Sequence, residues 1–408
     1  MPGRSTAGRT TRAEVGNRLG VFDDNRRLPL HRWYPFVEGF SSELVSRALA
    51  SRRAKAVFDP FGGSGTTALT AALQGIPSSF TEVNPFLAWV ADVKVNGVAE
   101  FLDAGLDSKL VSGFRPLTQA KKQVTSDHPL WVINEKRDFL PRKNLAALLG
   151  TLDLLDDLEG PTRDIVKLAC LTSILECSNM IRRTDLRRRT SGDRGPADFG
   201  KTLQERLHIF GEDLRALEGV RMARTTHVGS NAKGGWCVTE PLDLIVTSPP
   251  YLNGTNYCRN TKMELLAGGF IGSEAELASL RDASVMAGIN NVSNRRQVAD
   301  VDVPAVVMTV QEVEESNYDQ RIPRMVKGYF DDMTQVIASI RSHSRKGARF
   351  LLDIGDSRFG GVHVDTPRLL VAVAEAQDWV LIEKTQLRQR RSYDGSALTQ
   401  DLLVFEAV

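Results

Sequence analysis

Residues 54–84 read AKAVFDPFGGSGTTALTAALQGIPSSFTEVN and decide the fold of this 408-residue chain. An apolar run at 54–58 leads into the turn DPFGGSGTT, and an apolar helical pattern follows until Gly75 stops it. Residues 79–83 have the pattern of a second strand, which ends at Glu82 and Asn84. A strand, a loop, a helix and a second strand in this order predict the opening of a doubly wound α/β sheet.

The loop after the first strand predicts a cofactor site. Gly63 and Gly65 let the backbone approach a ligand, and the helix that follows offers unpaired N–H groups at its N-terminus. The spacing Gly63-x-Gly65-x-x-Ala68 also fits a dinucleotide-binding loop, with Glu82 near the distance expected for an acid that binds ribose hydroxyls. A phosphate-binding P-loop is excluded because no Lys-Ser/Thr pair follows the second glycine. A glycine turn without a ligand stays an alternative.

A second motif, LIVTSPPY at 244–251, is a buried strand that runs into a Pro-Pro turn and an aromatic side chain. Two prolines fix the backbone and remove two N–H donors, so the carbonyl groups of Ser248 and Pro249 are not used locally. Carbonyl and hydroxyl acceptors here would draw the lone pair of an exocyclic amine out of conjugation with its ring. Tyr251 would stack on a base that has left its helix. An ordinary proline turn explains Ser-Pro-Pro alone, but not its place between an apolar strand and a tyrosine.

Together the two motifs resemble those of the bacterial amino-group DNA methyltransferases. DPFGGSGTT at 59–67 is similar to the S-adenosylmethionine motif of that family. TSPPY at 247–251 is similar to its catalytic motif, in the form usual for enzymes that make N4-methylcytosine. Adenine enzymes of the family more often carry Asp-Pro-Pro-Tyr or Asn-Pro-Pro-Phe. The resemblance covers about residues 25–95 and 225–405. It implies a Rossmann-like α/β methyltransferase fold with a mostly parallel seven-stranded sheet and a helical insertion.

The resemblance also implies which residues form the site. Catalytic roles fall to Ser248, Pro249, Pro250 and Tyr251. Cofactor contacts are expected from Trp33, Tyr34, Pro35, Phe36, Asp59, Pro60, Phe61, Gly63, Gly65, Thr66, Thr67, Glu82, Asn84 and Ser230. Ser230 and Asn231 stand where the family often has Gly-Asp, and either would hold the adenine amine of the cofactor. The methyl group would pass directly to the amine without a covalent enzyme intermediate or a metal ion, in agreement with the absence of a Pro-Cys pair.

Later patterns complete the sheet and divide the chain. Strands are predicted at 226–229, 242–247 and 349–354, a closing strand pair at 379–383 and 402–405, and an amphipathic helix at 329–340. The predicted parts are a flexible basic tail at 1–20, the cofactor half of the core at 21–99, a helical insertion at 100–224 and the catalytic half at 225–408. The catalytic half includes residues 255–325, which we expect to form a lid or target-recognition segment.

Arginine-rich segments predict contacts with DNA phosphates, because a net charge of only +2 means that any DNA surface must come from clustering. The run RRTDLRRR at 182–189 is the densest, and a smaller cluster lies at 388–391. A solvated face is the alternative for such a run. The predicted contacts to DNA or to the flipped base are Asn253, Tyr257, Arg182, Arg183, Arg187, Arg188, Arg189, Arg390 and Arg391.

The sequence therefore predicts a site-specific DNA methyltransferase that acts on double-stranded DNA with a flipped base, the N4 amine of cytosine being favoured. The alternatives are an N6-adenine enzyme, an RNA or other amino methyltransferase, an inactive cofactor-binding protein that recognises DNA, and a dinucleotide oxidoreductase. The four cysteines lack metal-ligand spacing and no apolar run approaches the ~20 residues of a membrane helix, so we expect a cytoplasmic protein without metal. A cognate restriction endonuclease is a candidate partner, and the oligomeric state is open.

Overall fold

The computed structural model of the chain describes residues 19–35, 39–116, 127–182, 185–252, 254, 257–293, 295–316, 319–391 and 395–408. Its strands are β1 Val57–Asp59, β2 Ser78–Thr81, β3 Met180–Arg182, β4 Leu186–Arg188, β5 Thr225–Gly229, β6 Leu242–Thr247, β7 Ser344–Gly355, β8 Ser357–Phe359, β9 Val362–Val364, β10 Trp379–Arg391 and β11 Ala397–Ala407. Its α-helices are α1 Ser42–Arg52, α2 Thr66–Leu73, α3 Pro85–Asp92, α4 Val98–Asp103, α5 Lys109–Ser112, α6 Pro129–Arg137, α7 Arg142–Asp153, α8 Gly160–Ser173, α9 Phe199–Ala216, α10 Tyr257–Asn260, α11 Lys262–Ala267, α12 Glu274–Ala283, α13 Pro304–Ser316, α14 Arg321–His343 and α15 Thr366–Glu375. A π-helical turn, Val93–Gly97, joins α3 to α4. Among the described helices, none combines the length and the apolar character needed to cross a bilayer.

The central sheet has the strand order β10-β11-β7-β6-β1-β2-β5. The five strands from β7 to β5 run parallel, and β11 pairs antiparallel with both β7 and β10. Numbered along the chain within the sheet and read from the β5 edge, the order is 3-2-1-4-5-7-6. The predicted Rossmann-like, mostly parallel seven-stranded sheet is confirmed. The chain leaves β1 towards one edge and returns through β6 towards the other, which makes the β1–β6 junction a topological switch point.

Successive residues of the central strands pack into two separate cores because side chains alternate across a sheet. On one face Val57, Leu244 and Val246 pack against α1. On the other face Phe58 and Ile245 join the core formed with α14 and α15. With both faces covered, the central strands β1 and β6 are mostly apolar, as the sequence pattern had indicated.

The segment 100–224 is largely helical, as predicted, but it is not an independent unit. Leu148 of α7, Leu168 of α8 and Leu207 of α9 lie in one continuous core with Leu69 of α2 and Phe86 of α3. The insertion therefore shares its core with the helices that carry the cofactor loop. It also contains the β3–β4 hairpin, which the sequence pattern had not predicted.

Asp213 of α9 fastens the insertion to the N-terminal segment. Its buried carboxylate accepts hydrogen bonds from the Leu30 amide at 3.0 Å, from Arg32 Nε at 3.1 Å and from Trp33 Nε1 at 2.9 Å. The Trp33 ring stacks on Phe210, one turn earlier in α9, with the two ring centroids 4.0 Å apart. A single carboxylate thus satisfies two buried donors, the Leu30 amide and the Trp33 indole, and pairs with the partly exposed guanidinium of Arg32.

We expect the Asp213→Ala variant to lose about 3–5 kcal/mol of unfolding free energy, because removal of one partner leaves buried donors and a cation uncompensated. Equilibrium denaturation in urea checks this. The control is Glu212→Ala on the neighbouring, solvent-facing position, where a change below about 0.5 kcal/mol is expected. Equal losses in both variants would contradict the role given to Asp213.

Candidate active site

A cleft of about 850 Å³ opens at the switch point, at the carboxyl ends of the parallel strands. Open α/β sheets bind ligands at this position. The glycine loop after β1, the end of β2, the loop after β5 and the Pro-Pro turn after β6 all contribute to its wall. The lining residues are Pro60, Phe61, Gly63, Glu82, Val83, Asn84, Leu87, Ser230, Asn231, Ala232, Lys233, Ser248, Pro250, Tyr257, Cys258, Ala283, Ser284, Val285, Ala287 and Asn291.

Asp59 ties the two sequence motifs together behind this wall. One carboxylate oxygen accepts hydrogen bonds from Thr247 Oγ1 at 2.6 Å and from the Phe61 amide at 2.9 Å. The other accepts from Thr67 Oγ1 at 2.8 Å. Burial raises the pKa of Asp59 to about 6, although the three donors act in the opposite direction. Asp59 and Thr67 are buried, so they fix the shape of the cleft rather than line it.

Glycines shape the loop because side chains would not fit there. Gly63 and Gly65 have φ values of 51° and 83°, in the left-handed region that other residues rarely adopt. A Cβ atom at Gly65 would also lie 2.8 Å from the Cβ atom of Ala91 in α3. The loop therefore packs closely on α3 while Gly63 faces the cleft. Gly65 and Thr66, at the start of α2, lie behind the cleft wall.

A buried lysine supports the same loop. Lys94, in the π-helical turn after α3, is fully buried and donates from Nζ to the Ser64 carbonyl at 2.7 Å. Burial lowers the pKa of Lys94 to about 7. Burial, reinforced by the nearby charge of Lys94, lowers the pKa of His31 to about 3. The sequence analysis had not singled out Lys94, since a lone lysine in an apolar stretch gives no signal of its partner.

Glu82 is the carboxylate that faces the cleft. Its two oxygens accept hydrogen bonds from the Gly63 amide and the Asn84 amide, both at 2.8 Å. Burial raises its pKa to about 7, and Asp59 adds to this effect. Asn84 turns its own side chain to cap α3, where Oδ1 accepts from the Phe86 and Leu87 amides at 3.1 and 3.3 Å. The predicted ribose-binding acid thus lies at the cleft wall beside the glycine loop.

The Ser-Pro-Pro-Tyr turn brings a hydroxyl to the cleft and a phenol to a buried acid. Ser248 and Pro250 line the cleft, whereas Pro249 is buried. Ser248 Oγ lies 3.4 Å from the Tyr251 hydroxyl, which donates to Asp353 Oδ1 at 3.0 Å. The predicted stacking role of Tyr251 is not what this geometry shows. Its ring packs against the core beside the sheet, because the half-buried phenol needs an acceptor and finds one in Asp353.

Asp353 is a site residue that the sequence analysis missed. It lies in β7 and is buried, and Gln400 Nε2 donates to its two oxygens at 2.8 and 3.1 Å. Burial raises the pKa of Asp353 to about 7, against the effect of these hydrogen bonds. An acid within the apolar run FLLDI at 350–354 was the available signal. A charge in a buried strand requires a partner, and such a position is a functional candidate.

The outer wall of the cleft comes from residues 283–291, part of the predicted lid segment. This wall is anchored on Asp332 of α14, a buried carboxylate that accepts from the Met286 amide at 2.8 Å. Lys233, which lines the cleft, approaches the same carboxylate to 3.2 Å, and Arg296 forms an ion pair with it. The segment after the catalytic motif therefore covers the cleft, in the position expected for a lid.

Other predicted cofactor contacts fall outside the cleft wall. Trp33 has no accessible surface, because its indole is held between Asp213 and Phe210. Tyr34 is buried, with its ring edge-on to Phe86 at 5.4 Å. Neither side chain lines the cleft, because both are packed in the core beside it. Pro35 is half-buried and does not line the cleft either. Phe36 and Asn253 lie outside the described residues, while Ser230, Asn231 and Tyr257 do line the cleft.

Arg182, predicted to contact phosphate, is held by partners within the chain. Its guanidinium donates to the Asn260 carbonyl at 2.9 and 3.2 Å, forms an ion pair with buried Glu264 and lies over the Tyr34 ring at 5.5 Å. Only 11% of the side chain is exposed. The arginine joins the β3–β4 hairpin to α10 and α11, since a buried guanidinium needs an acid and several acceptors around it.

The other arginines of the run that the structure describes, Arg187 to Arg189, also have internal partners. Arg187 forms a two-point ion pair with Asp193, at 2.9 and 3.2 Å. Arg189 donates to the carbonyls of Ser178 and Arg194, at 2.9 and 2.6 Å. Arg188 pairs with Asp138 at 3.0 Å and stays 54% exposed, so it is the member of the run best placed to meet a ligand. Arg183 and the side chain of Arg390 lie outside the described part, and exposed Arg391 donates to the Gly395 carbonyl.

Comparison with known proteins gives curated relatives but no matching family model. The chain is 24% identical over 459 residues to the Type II methyltransferase M.BsoBI of Geobacillus stearothermophilus, covering 96% of this chain and 89% of that one. Type II methyltransferases M.AvaI of Nostoc sp. and Anabaena variabilis are each 24% identical over 407 residues, covering 88% of this chain and 81% of theirs. This similarity supports a DNA methyltransferase. S-adenosylmethionine is the cofactor of such an enzyme, as the sequence predicted.

Solved methyltransferase structures align only loosely with the chain. TrmN from Thermus thermophilus gives a TM-score of 0.29 at 11% identity, over 90% of this chain and 49% of that one. The rRNA methyltransferase aviRa from Streptomyces viridochromogenes gives a TM-score of 0.28 at 11% identity, over 93% of this chain and 85% of that one. The methyltransferase fold therefore rests here on the strand order of the sheet.

The cleft fits S-adenosylmethionine in its chemistry. Glu82 offers a carboxylate to the ribose hydroxyls, and two backbone amides already fix its orientation. Phe61, Val83 and Leu87 give the apolar surface that an adenine ring needs. Ser230 and Asn231, the predicted partners of the adenine amine, both line the cleft in the loop after β5.

We expect the affinity for S-adenosylmethionine to increase as the pH rises through about 7. The pKa of Glu82 is raised to this value, and the ionised carboxylate is the stronger acceptor for hydroxyl groups. Isothermal titration calorimetry between pH 6 and 9 measures the effect. Glu82→Gln should bind more weakly and with a flatter pH profile, and a variant that kept the wild-type profile would assign the titration to another group.

Proposed function

We propose that the chain is a site-specific DNA methyltransferase that transfers a methyl group from S-adenosylmethionine to the N4 amine of cytosine. The observation that carries the proposal is that Ser248 and Pro250 line the same cleft as Gly63 and Glu82. The acceptor group of the Thr-Ser-Pro-Pro-Tyr motif and the cofactor loop therefore face one space. The Type II methyltransferases similar to the chain support DNA as substrate and a restriction-modification setting, with a cognate endonuclease as candidate partner.

We infer that the target base leaves the duplex to enter the cleft. Ser248 follows a buried central strand and lines the cleft together with Gly63 of the glycine loop and residues of the wall at 283–291. A base that stays paired and stacked would have to bring its whole duplex to this position. Enzymes that modify a base in such a pocket take the base out of the stack first. A flipped cytosine would place its amine against Ser248.

The direction of the hydrogen bonds leaves Ser248 Oγ able to accept a hydrogen bond from the target amine. Bound S-adenosylmethionine supplies a methyl group activated by its sulfonium centre. Ser248 points its hydroxyl hydrogen towards Tyr251, and Tyr251 points its own towards Asp353. The lone pairs of Ser248 Oγ therefore remain for a hydrogen of the target amine. With the Pro249 carbonyl as a second acceptor, both amine hydrogens would be held, which leaves the nitrogen lone pair free to react.

Asp353 would be the final acceptor of the proton that the amine loses. An amine that gains a methyl group must lose one proton. The hydrogen-bonded chain from Ser248 through Tyr251 to Asp353 connects the amine position with a buried carboxylate. A proton shifts along this chain when each hydroxyl passes on its own hydrogen and receives another. The pKa of Asp353, raised to about 7, suits a proton acceptor near neutral pH.

The decisive test of the substrate base is to identify the product. The chain is expressed in a host without DNA methylation, and the genomic DNA is digested to nucleosides for mass spectrometry. We expect N4-methylcytosine from the wild type and none from Ser248→Ala. N6-methyladenine alone would make the base assignment wrong and keep the reaction class. Unmodified DNA from a chain that binds S-adenosylmethionine and DNA would favour an inactive recognition protein.

A second test concerns the proton path. We expect Asp353→Asn to lower the single-turnover rate by about 10²-fold or more, because general base catalysis typically contributes this much. The wild-type rate should rise with pH through about 7 as Asp353 ionises, and the variant should lose that rise. Tyr251→Phe, which keeps the ring and breaks the path, serves as the matched variant. Full activity in Tyr251→Phe would contradict the path even if Asp353→Asn were slow.

A further inference from the structure

A second hollow, of about 1280 Å³, lies beside the cleft between the helical insertion and the lid segment. One side comes from α6 and the β3–β4 hairpin, and the other from α10, α11 and α12. We call it the basic groove, and its lining residues are Arg137, Phe139, Met180, Leu186, Arg188, Cys258, Arg259, Lys262, Glu274, Leu277, Ala278, Arg281 and Asn290. The two segments that interrupt the sheet thus meet in one surface.

Arginine and lysine side chains line the basic groove, and each has a carboxylate nearby. Five of its lining residues are arginine or lysine. Glu274 lies near Arg137 and Lys262, and Asp138 pairs with Arg188. Arg259 pairs with Asp185 at 2.8 Å and is 52% exposed. Arg281 lies 3.6 Å from Asp282 and is 38% exposed. Exposed pairs of this kind contribute little to stability, so a stronger anion readily exchanges with the carboxylate.

The groove and the cleft share a partition. Cys258 lines both, and its neighbours divide between them, with Tyr257 in the cleft and Arg259 in the groove. The same division occurs at α12, where Arg281 lines the groove and Ala283 lines the cleft. It occurs again in the lid, where Asn290 lines the groove and Asn291 the cleft. Consecutive helical residues are separated by about 1.5 Å along the axis, so the two spaces are immediate neighbours.

We propose that the basic groove binds the sugar-phosphate backbone of the DNA strand whose base enters the cleft. This inference rests on the proposed function. A base in the cleft is covalently joined, through its sugar, to phosphates that must lie just outside the cleft. Arg259 follows the cleft residue Cys258, and Arg281 lies two positions before the cleft residue Ala283. Guanidinium groups suit phosphate because their planar donors match two of its oxygens.

The apolar part of the lining agrees with a nucleic-acid backbone rather than a free anion. Phe139, Met180, Leu186 and Leu277 line the groove together with the charged side chains. Apolar side chains accommodate sugar faces, whereas a site for a small anion would surround it with donors. The arginines that would bind DNA in this groove differ from those that the sequence predicted. Among the described arginines of the run at 182–189, Arg188 lines the groove, and the other cations come from α6 and from α10 to α12.

The test measures how DNA affinity depends on salt in the full-length chain. The probe is a labelled DNA duplex of random sequence, since phosphate contacts are independent of sequence. The double variant Arg259→Gln with Arg281→Gln should bind more weakly, and its slope of log K against log salt should fall by about 2, or close to 0.9 for each lost phosphate contact. The control is Arg163→Gln in α8, which is 48% exposed and paired with Asp156 at 3.0 Å but lies outside the groove.

The outcomes separate this inference from the proposed function. Arg259→Lys with Arg281→Lys should keep most of the wild-type slope, because the charge is retained. If the glutamine double variant kept the wild-type slope and affinity, the groove would not be the phosphate site. The proposed function would still hold in that case, provided that the wild-type chain methylates DNA. A wild-type chain that binds S-adenosylmethionine but no DNA would overturn both. Calorimetric affinity for S-adenosylmethionine should be equal in all variants, which shows that the cleft is intact.

Discussion

The carboxylate of Asp59 is the constraint on which the site depends. It receives Thr67 from the helix after the glycine loop and Thr247 from the catalytic strand, residues that lie 8 and 188 positions away along the chain. Burial raises its pKa to about 6, so ionisation costs stability that the three donors must offset. Because both hydroxyls converge on one side chain, the cofactor loop and the Pro-Pro turn hold a fixed distance from each other. The cleft between them keeps its shape for the same reason.

Two further acids repeat this arrangement at the carboxyl edge of the sheet. Glu82 and Asp353 are held by donors from their surroundings, and burial raises the pKa of each to about 7. A raised carboxyl pKa means that folding favours the protonated form, so the stability from these groups is lost as the pH rises through about 7. The fold tolerates this cost where carboxylates serve binding and chemistry. Such conflicts between stability and local chemistry are expected at functional sites.

The helical insertion and the lid segment, which interrupt the sheet, are each anchored to a different part of the core. The sheet brings the glycine loop and the Ser-Pro-Pro-Tyr turn to one cleft. The helical insertion shares its core with α2 and α3, so its hairpin is held rigidly against the cofactor half. The lid segment is fixed to α14 through Asp332. The basic groove lies where these two rigid parts meet, directly beside the cleft.

Local patterns in the sequence determined the order of elements, the glycine loop, the acid after β2 and the Ser-Pro-Pro-Tyr turn. Backbone conformation within a few residues dictates each of these, so spacing and residue type are sufficient evidence. Even for such local elements the sequence predicted only part of the length. The closing strand predicted at 379–383 continues to Arg391, because β11 pairs with it. Tertiary structure alone decided where the long polar side chains go. Arg182 pairs with Glu264, which lies 82 positions further along the chain. Trp33 donates to Asp213, 180 positions away, and Tyr251 donates to Asp353, 102 positions away. Whether a charge or a ring faces solvent, ligand or core depends on such distant partners, and no local pattern records them.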